Sequence, residues 1–325
     1  MVFIFIWKKL LQTTIIIMYM KIKYANADSC RICLQSSLSV DNMLRFARLV
    51  IPGYNIYERL GLQEGTSIVY QSVAEQIVTD MVQDGFYIDF VETLVRIDRE
   101  GLTGRYYEFK GLNNVVAGLM NEGYNYDNVS GLFYENQDES ISPSWGRLKE
   151  GEEQRMALLR LDIAGNSALV KSNPRPQIEK AYNDIRNIVK KAVISRLGRI
   201  WSWEGDGAVA AFLFGSIEKM AVYAGIEVLQ ELFFYNRLYN PLDAAINVRL
   251  GAHIGQVQYS DSEVERLKND TVKQVMVYES LAASNALSVS YNLYLTMEKI
   301  VLELFSDEKT GKGCKYRLYK IGTEK

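Results

Sequence analysis

The chain has 325 residues, 48% of them apolar and 23% charged, a balance that excludes a disordered or low-complexity protein and allows two ordinary globular domains. Its 37 Lys and Arg against 39 Asp and Glu leave a net charge of −2, which excludes the broad basic field that draws a protein to nucleic acid. Three cysteines do not make a disulfide framework for this length, so a reducing, cytoplasmic setting is expected.

Residues 1–36 begin with an apolar run that Lys8 and Lys9 split into pieces shorter than the roughly 20 residues a bilayer span needs. The basic residues interrupt that run instead of preceding it, so it does not read as a signal peptide either. A packed or interfacial segment is expected, or a start of translation at Met18 or Met20. Cys30-Arg-Ile-Cys33 has the spacing of a redox or zinc motif but lacks a second ligand pair, and the one histidine is far away at His253.

Residues 37–134 are expected to form a helical regulatory domain. Leu44, Ala47 and Val50 recur at helical spacing before Pro52-Gly53, as do Ala74, Ile77, Val78 and Met81 before Gly85. A helix over 86–97, closed by Gly101, and another through Val115, Val116, Leu119 and Met120 complete it. Its acidic residues are scattered over solvent-facing positions, so no chemistry is expected there. Residues 135–151 are polar and acidic and contain Pro143, the composition of a linker.

Residues 152–325 alternate strands and helices. Strands are expected at 157–163, 199–204, 208–213, 245–250, 256–259, 287–289 and 316–321, with helices at 176–197, 216–235, 272–283 and 294–304. The fold class is therefore α+β, with helices packed over a sheet. Gly205-Asp206-Gly207 is the expected tip of a hairpin, and the glycines around His253 suggest a turn.

Asp162 and Asp206 each stand where an apolar strand pattern ends. Two carboxylates so placed meet only if their strands are neighbours, and hard oxygen ligands of that kind hold divalent ions for phosphoryl chemistry. A capping aspartate at 162 and an Asp-Gly turn at 206 explain the same spacing equally well. After Asp162 the chain passes through Gly165, Asn166 and Ser167 into a helical stretch, whose first N–H groups are suited to a triphosphate.

Leu161-Asp-Ile-Ala-Gly-Asn-Ser167, Gly198-Arg-Ile-Trp-Ser-Trp-Glu-Gly-Asp-Gly207 and Val248-Arg-Leu-Gly-Ala-His-Ile-Gly-Gln-Val257 together resemble, in order and spacing, the three characteristic stretches of class III nucleotide cyclases, the adenylate and guanylate cyclase family. The resemblance covers roughly half the chain, from about residue 152 to 321. It implies a ferredoxin-like βαββαβ core, two Mg²⁺ or Mn²⁺ ions on Asp162, Asp206 and the Ile163 carbonyl, a nucleoside triphosphate substrate, and a homodimer. It also implies in-line attack of the ribose 3′ oxygen on the α-phosphorus.

The departures bear on substrate. Where purine-selecting members carry lysine or glutamate, four residues before the second metal aspartate, this chain has Ser202. Lys273 and Val277 stand where an asparagine and an arginine are usual, and Arg266 falls near the position that contacts the purine. Either Lys273 or Arg266 replaces the lost charge in an active enzyme, or the domain is a nucleotide-binding relic. The Trp-Ser-Trp-Glu-Gly-Asp-Gly stretch resembles bacterial pyrimidine cyclases of antiphage signalling, so UTP or CTP is the expected substrate. Arg199 is expected to reach a phosphate or the base, or else to lie on the surface. His253 is expected to be structural, and Trp201 and Trp203 to be sheet-packing or dimer-interface aromatics.

Overall fold

The computed structural model describes residues 24–136 and 141–321; the apolar run at the start of the chain lies outside them. The chain divides into two compact units, residues 1–140 and 141–325.

The first unit is helical, as the spacing predicts: α1 (Tyr24–Ser37), α2 (Val40–Val50), α3 (Ile56–Leu60), α4 (Tyr70–Gln83), α5 (Tyr87–Glu100) and α6 (Leu112–Asn121). Ser39 caps α2 by accepting the Asn42 N–H, and Gly101, at φ +76°, ends α5. Their apolar stripes meet in one core that includes Phe46, Ile77, Phe90 and Val115. Two features were not expected. Helix α1 takes up residues that read as part of an apolar tail, and the unit ends in a hairpin of β1 (Tyr124–Asp127) and β2 (Leu132–Glu135). A buried carboxylate ties that hairpin to α5, since Glu92 Oε1 accepts the Phe133 N–H at 2.6 Å. Cys30 and Cys33 are buried one turn apart on α1, and burial pushes the Cys33 thiol up to about 11 and the Cys30 thiol in the same direction. Burial favours the neutral thiol in both, and both pack into the helical core. Among the described residues no helix is long and apolar enough to cross a membrane.

The second unit is built on a seven-stranded sheet in the order β4-β5-β3-β6-β7-β9-β8. Its first strands and helices are β3 (Glu153–Ala164), α7 (Asn166–Ser172), α8 (Arg175–Ile194), β4 (Arg199–Glu204), β5 (Gly207–Phe212), α9 (Ile217–Leu238) and β6 (Asn247–Gln258). Strand β3 is antiparallel to both β5 and β6, and β4 to β5, so the unit begins as a ferredoxin-like βαββαβ core. The α+β class is therefore correct. Helix α10 (Glu263–Leu267) and helix α11 (Asp270–Leu281) then lead to β7 (Ala286–Ser290), which pairs with β6 in parallel. The sheet closes with the hairpin of β8 (Lys309–Gly311) and β9 (Cys314–Lys320).

Period-two alternation sorts β3 between two faces. Leu159, Leu161 and Ile163 join Leu250 and Ala252 of β6 under α8 and α9, in a core completed by Ile185, Val189 and Val228. Arg160 and Asp162 fall on the other face with Arg249, Gly251 and His253, and α11 lies across that face. Two expectations fail in this unit. The glycines around His253 do not form a turn: residues 247–258 are one strand, and a Cβ at Gly251 would lie 2.2 Å from the Glu279 backbone nitrogen of α11. Glycine is there so that a helix backbone can touch a strand. Nor is 294–304 one helix. It is two turns, α12 (Tyr291–Tyr294) and α13 (Lys299–Leu302), separated where Glu298 adopts extended ψ 149°.

Candidate active site at the carboxylate edge of the sheet

Asp162 lies near the end of β3, opposite Gly207 of β5 on one side and Arg249 of β6 on the other. Asp206 precedes Gly207 in the β4–β5 turn, where Gly205 takes φ +57°, a left-handed value that glycine adopts without strain. The Ile163 N–H donates to the Asp206 carbonyl at 3.2 Å and fastens the turn to β3. The two aspartates thus share one end of the sheet. The N–H and C=O of a strand residue point the same way, so the Ile163 carbonyl faces that turn as well.

Asp162 Oδ2 accepts a hydrogen bond from Arg249 Nη2 at 2.5 Å, and Arg249 Nε lies 3.1 Å from Glu279 Oε1 on α11. The hydrogen bond to Asp162 holds the Arg249 guanidinium above its usual range. Burial moves the Glu279 carboxyl upward, against the pull of Arg249. Tyr182 of α8 adds a hydroxyl: it donates to Asn166 Oδ1, and burial together with the Asp206 charge keeps its proton on. Gly165, at φ +73°, opens α7 beside this group, so the first N–H groups of α7, from Asn166 and Ser167, begin there.

The other expected site residues are elsewhere in the chain's own structure. Arg199 is 1% exposed and donates to the Ser142 and Gly198 carbonyls at 2.9 and 3.1 Å, with its guanidinium over Trp145. Arg266 donates to the carbonyls of Ser260, Asp261 and Trp201 and lies between Trp201 and Tyr259. Both guanidinium groups are buried and hydrogen-bonded to backbone carbonyls, and those contacts account for them as packing residues without a ligand. Ser202 is buried opposite Val209, two register pairs from Gly207 at the carboxylate edge. Lys273 is exposed on α11 and pairs with Asp270 at 2.8 Å. Trp201 packs against Trp145 and Tyr259 and donates to the Pro143 carbonyl, and Trp203 lies under Arg186; both are packing residues.

Arg160, Arg249, Glu279 and Tyr182 were not picked out from sequence. For the first two a signal existed: counting in twos from Asp162 and from Gly251 puts Arg160 and Arg249 on the aspartate face. Glu279 and Tyr182 depend on how α11 and α8 pack.

The donor set suits a hard divalent ion. Two carboxylates and a carbonyl are oxygen ligands of the kind Mg²⁺ and Mn²⁺ prefer, with the remaining positions open to water or phosphate. Among the described residues no three His, Cys, Asp or Glu side chains converge on one point, so the chain alone supplies only a partial shell.

His253 occupies the same face, stacked on Tyr278 with ring centroids 5.1 Å apart. Burial moves its imidazole down to about 4. Because the folded value lies below the unfolded one of about 6.5, the stabilisation is complete above pH 6.5 and is lost as pH falls toward 4. His253→Phe, which keeps the stack, should remove about 2 to 3 kcal/mol of acid sensitivity from that window. Urea unfolding at pH 7 and pH 4.5 measures it; equal pH dependence in both proteins would mean His253 is not the buried neutral group.

No protein-family model matches the chain, and no curated protein matches it. Among solved structures it is similar to the guanylyl cyclase domain of the RhoGC fusion protein from the aquatic fungus Blastocladiella emersonii, at 14% identity over 52% of this chain and 98% of that one, TM-score 0.44. It is similar to the guanylyl cyclase Cya2 at 16% identity over 54% and 96%, TM-score 0.44. It is also similar to an adenylate/guanylate cyclase/hydrolase from Silicibacter pomeroyi at 21% identity over 53% and 99%, TM-score 0.44.

Proposed function

We propose that the second unit is a nucleotide cyclase, which converts a nucleoside triphosphate to its 3′,5′-cyclic monophosphate and diphosphate. The observation that carries this reading is the meeting of Asp162 and Asp206 at one sheet end, joined through Ile163 to the Asp206 carbonyl. A capping aspartate has no need of a second carboxylate beside it. Asp162, Asp206 and the Ile163 carbonyl would hold two divalent ions. When bound, the ions supply Lewis acidity at the ribose 3′ oxygen and neutralise charge on the triphosphate.

The chain's own part is positioning. The ladder on both sides of Asp162 fixes one carboxylate, and the Gly205-Asp206 turn fixes the other. Arg249, held by Asp162 and Glu279, keeps a positive charge at the edge where charge develops on the leaving diphosphate. Lys273 is exposed on α11, and in this reading it serves the site of a second chain in a homodimer.

UTP or CTP is the substrate in this reading, since Ser202 replaces the charged residue that selects a purine. The product would be a second messenger of antiphage defence acting in the cytoplasm, a role drawn from the motif resemblance alone. The Arg249–Asp162 ion pair favours a second reading, a nucleotide-binding regulatory module in which a guanidinium takes the place of the ion.

Incubating the full chain with each of the four common nucleoside triphosphates and Mn²⁺, followed by mass spectrometry, separates the readings. Cyclic UMP or cyclic CMP is the expected product. Cyclic AMP alone would remove the pyrimidine assignment, and no cyclic product from any of them would leave the regulatory module.

A further inference from the structure

We propose that Arg160 is a polyphosphate-binding residue of the carboxylate edge, an inference that rests on the reading of that edge as a nucleoside triphosphate site. Arg160 lies on β3 two residues before Asp162 and on the same face, paired with Val209 and Gly251. Its guanidinium is folded over Gly207, where an added Cβ would lie 3.0 Å from Nη2 and 3.5 Å from Cζ. Gly207 has no left-handed φ to account for it. A Cβ there would meet the arginine tip and the Leu161 carbonyl, at 3.2 Å, so the guanidinium lies directly over this backbone.

So placed, the guanidinium is beside the residue that follows Asp206 and is paired with Asp162, yet it is bound to neither carboxylate. Arg160 makes no hydrogen bond and no ion pair among the described residues, and its Nε is buried without a partner. Its recorded influence on a neighbour is electrostatic, a downward pull on the Glu279 carboxyl. Arg249 and Arg266 also hold an Nε without a hydrogen-bond partner, but their other nitrogens are engaged, Arg249 with Asp162 and Arg266 with backbone carbonyls, as Arg199 is too.

A guanidinium carries five donors in a planar fork, and leaving the buried Nε without an acceptor is unfavourable. The fork matches the oxygens of phosphate, and charge-assisted bonds of that kind are among the strongest available. It points to the end of the sheet where the carboxylates lie, so the phosphates of the nucleotide meet it. Arg160 and Arg249 then flank Asp162 from the β5 and β6 sides. They offset the repulsion that two aspartates exert on a polyanion.

The test uses two probes, of which only the anion should bind more weakly once the guanidinium is removed. Isothermal titration of the full chain with inorganic pyrophosphate, without and with Mn²⁺, should show binding that Arg160→Gln weakens about tenfold or more. Titration with Mn²⁺ alone should show equal or tighter binding in Arg160→Gln, because a cation beside the carboxylates has been removed. Arg160→Lys should recover part of the pyrophosphate affinity as a point charge without the fork, and it keeps the test open should the glutamine variant not fold. A merely structural Arg160 would lower both affinities together, and that outcome overturns the proposal. So does unchanged pyrophosphate affinity in Arg160→Gln, or a wild-type chain that binds no pyrophosphate. A chain that binds pyrophosphate through Arg160 and yet makes no cyclic product retains this inference and loses the cyclase reading.

Discussion

Asp206→Asn should lower cyclic nucleotide formation by about a thousandfold, roughly 4 kcal/mol of barrier, while leaving the unfolding midpoint nearly unchanged. The amide keeps the size of the side chain and removes its charge. The Asp206 carboxylate takes part in no ion pair among the described residues; its influence on Tyr182 and Arg249 is through space. Its loss therefore orphans nothing. Affinity for Mn²⁺ should fall with activity, and titration calorimetry on the variant measures that independently of turnover. Asp162→Asn should be equally inactive but also less stable, because it strips Arg249 of its 2.5 Å partner in a partly buried site. An Asp206→Asn protein with full activity would remove the metal assignment altogether.

The largest effect on stability is expected at Gly251. A methyl group there would meet the Glu279 nitrogen at 2.2 Å, the Glu279 Cα at 2.7 Å and the Val275 carbonyl oxygen at 2.7 Å. All three are backbone atoms of α11, so no rotamer change relieves the clash and the helix must lift from the sheet. Overpacking of this kind costs about 3 kcal/mol or more, which in a unit of this size lowers the midpoint by roughly 6 to 12 °C. Gly255→Ala is the control. Its closest contacts are side-chain atoms of Thr271, at 2.6 and 2.9 Å, and that side chain can turn away at the loss of its bond to the Gln256 carbonyl. Thermal unfolding of the two variants should therefore differ in size. Gly251→Ala should also shift Glu279, and with it one of the two carboxylates that hold Arg249.

Much of this architecture was legible because local chemistry and tertiary structure agree. Gly205-Asp206-Gly207 reads as a turn from its residues, and it is one. The apolar spacings before Gly85 and Gly101 mark helices that end there. The failures share a physical cause, which is that the deciding partner is distant in sequence. Glycines in β6 look like turn residues until α11 is seen to need the space. Tyr294, Met297 and Val301 fit one helical face, and the sheet they pack on accommodates them as two short turns instead. Arg199 and Arg266 were credible ligands because a side chain's donors cannot be seen to be spent until Ser142, Ser260 and Trp201 are folded against them. The aspartate pair was legible as residues, and as a pair only through motif order, since strand adjacency is not written in spacing.

The hydrogen bond from the Ile163 N–H to the Asp206 carbonyl has a further consequence. It fixes the main chain of Asp206 to the main chain beside Asp162, with no packed side chain as intermediary. If the proposed cyclase reading holds, the residues near Ser202 are free to change while the backbone that carries Asp162 and Asp206 stays in place. Base preference would then be retuned without rebuilding the carboxylate edge.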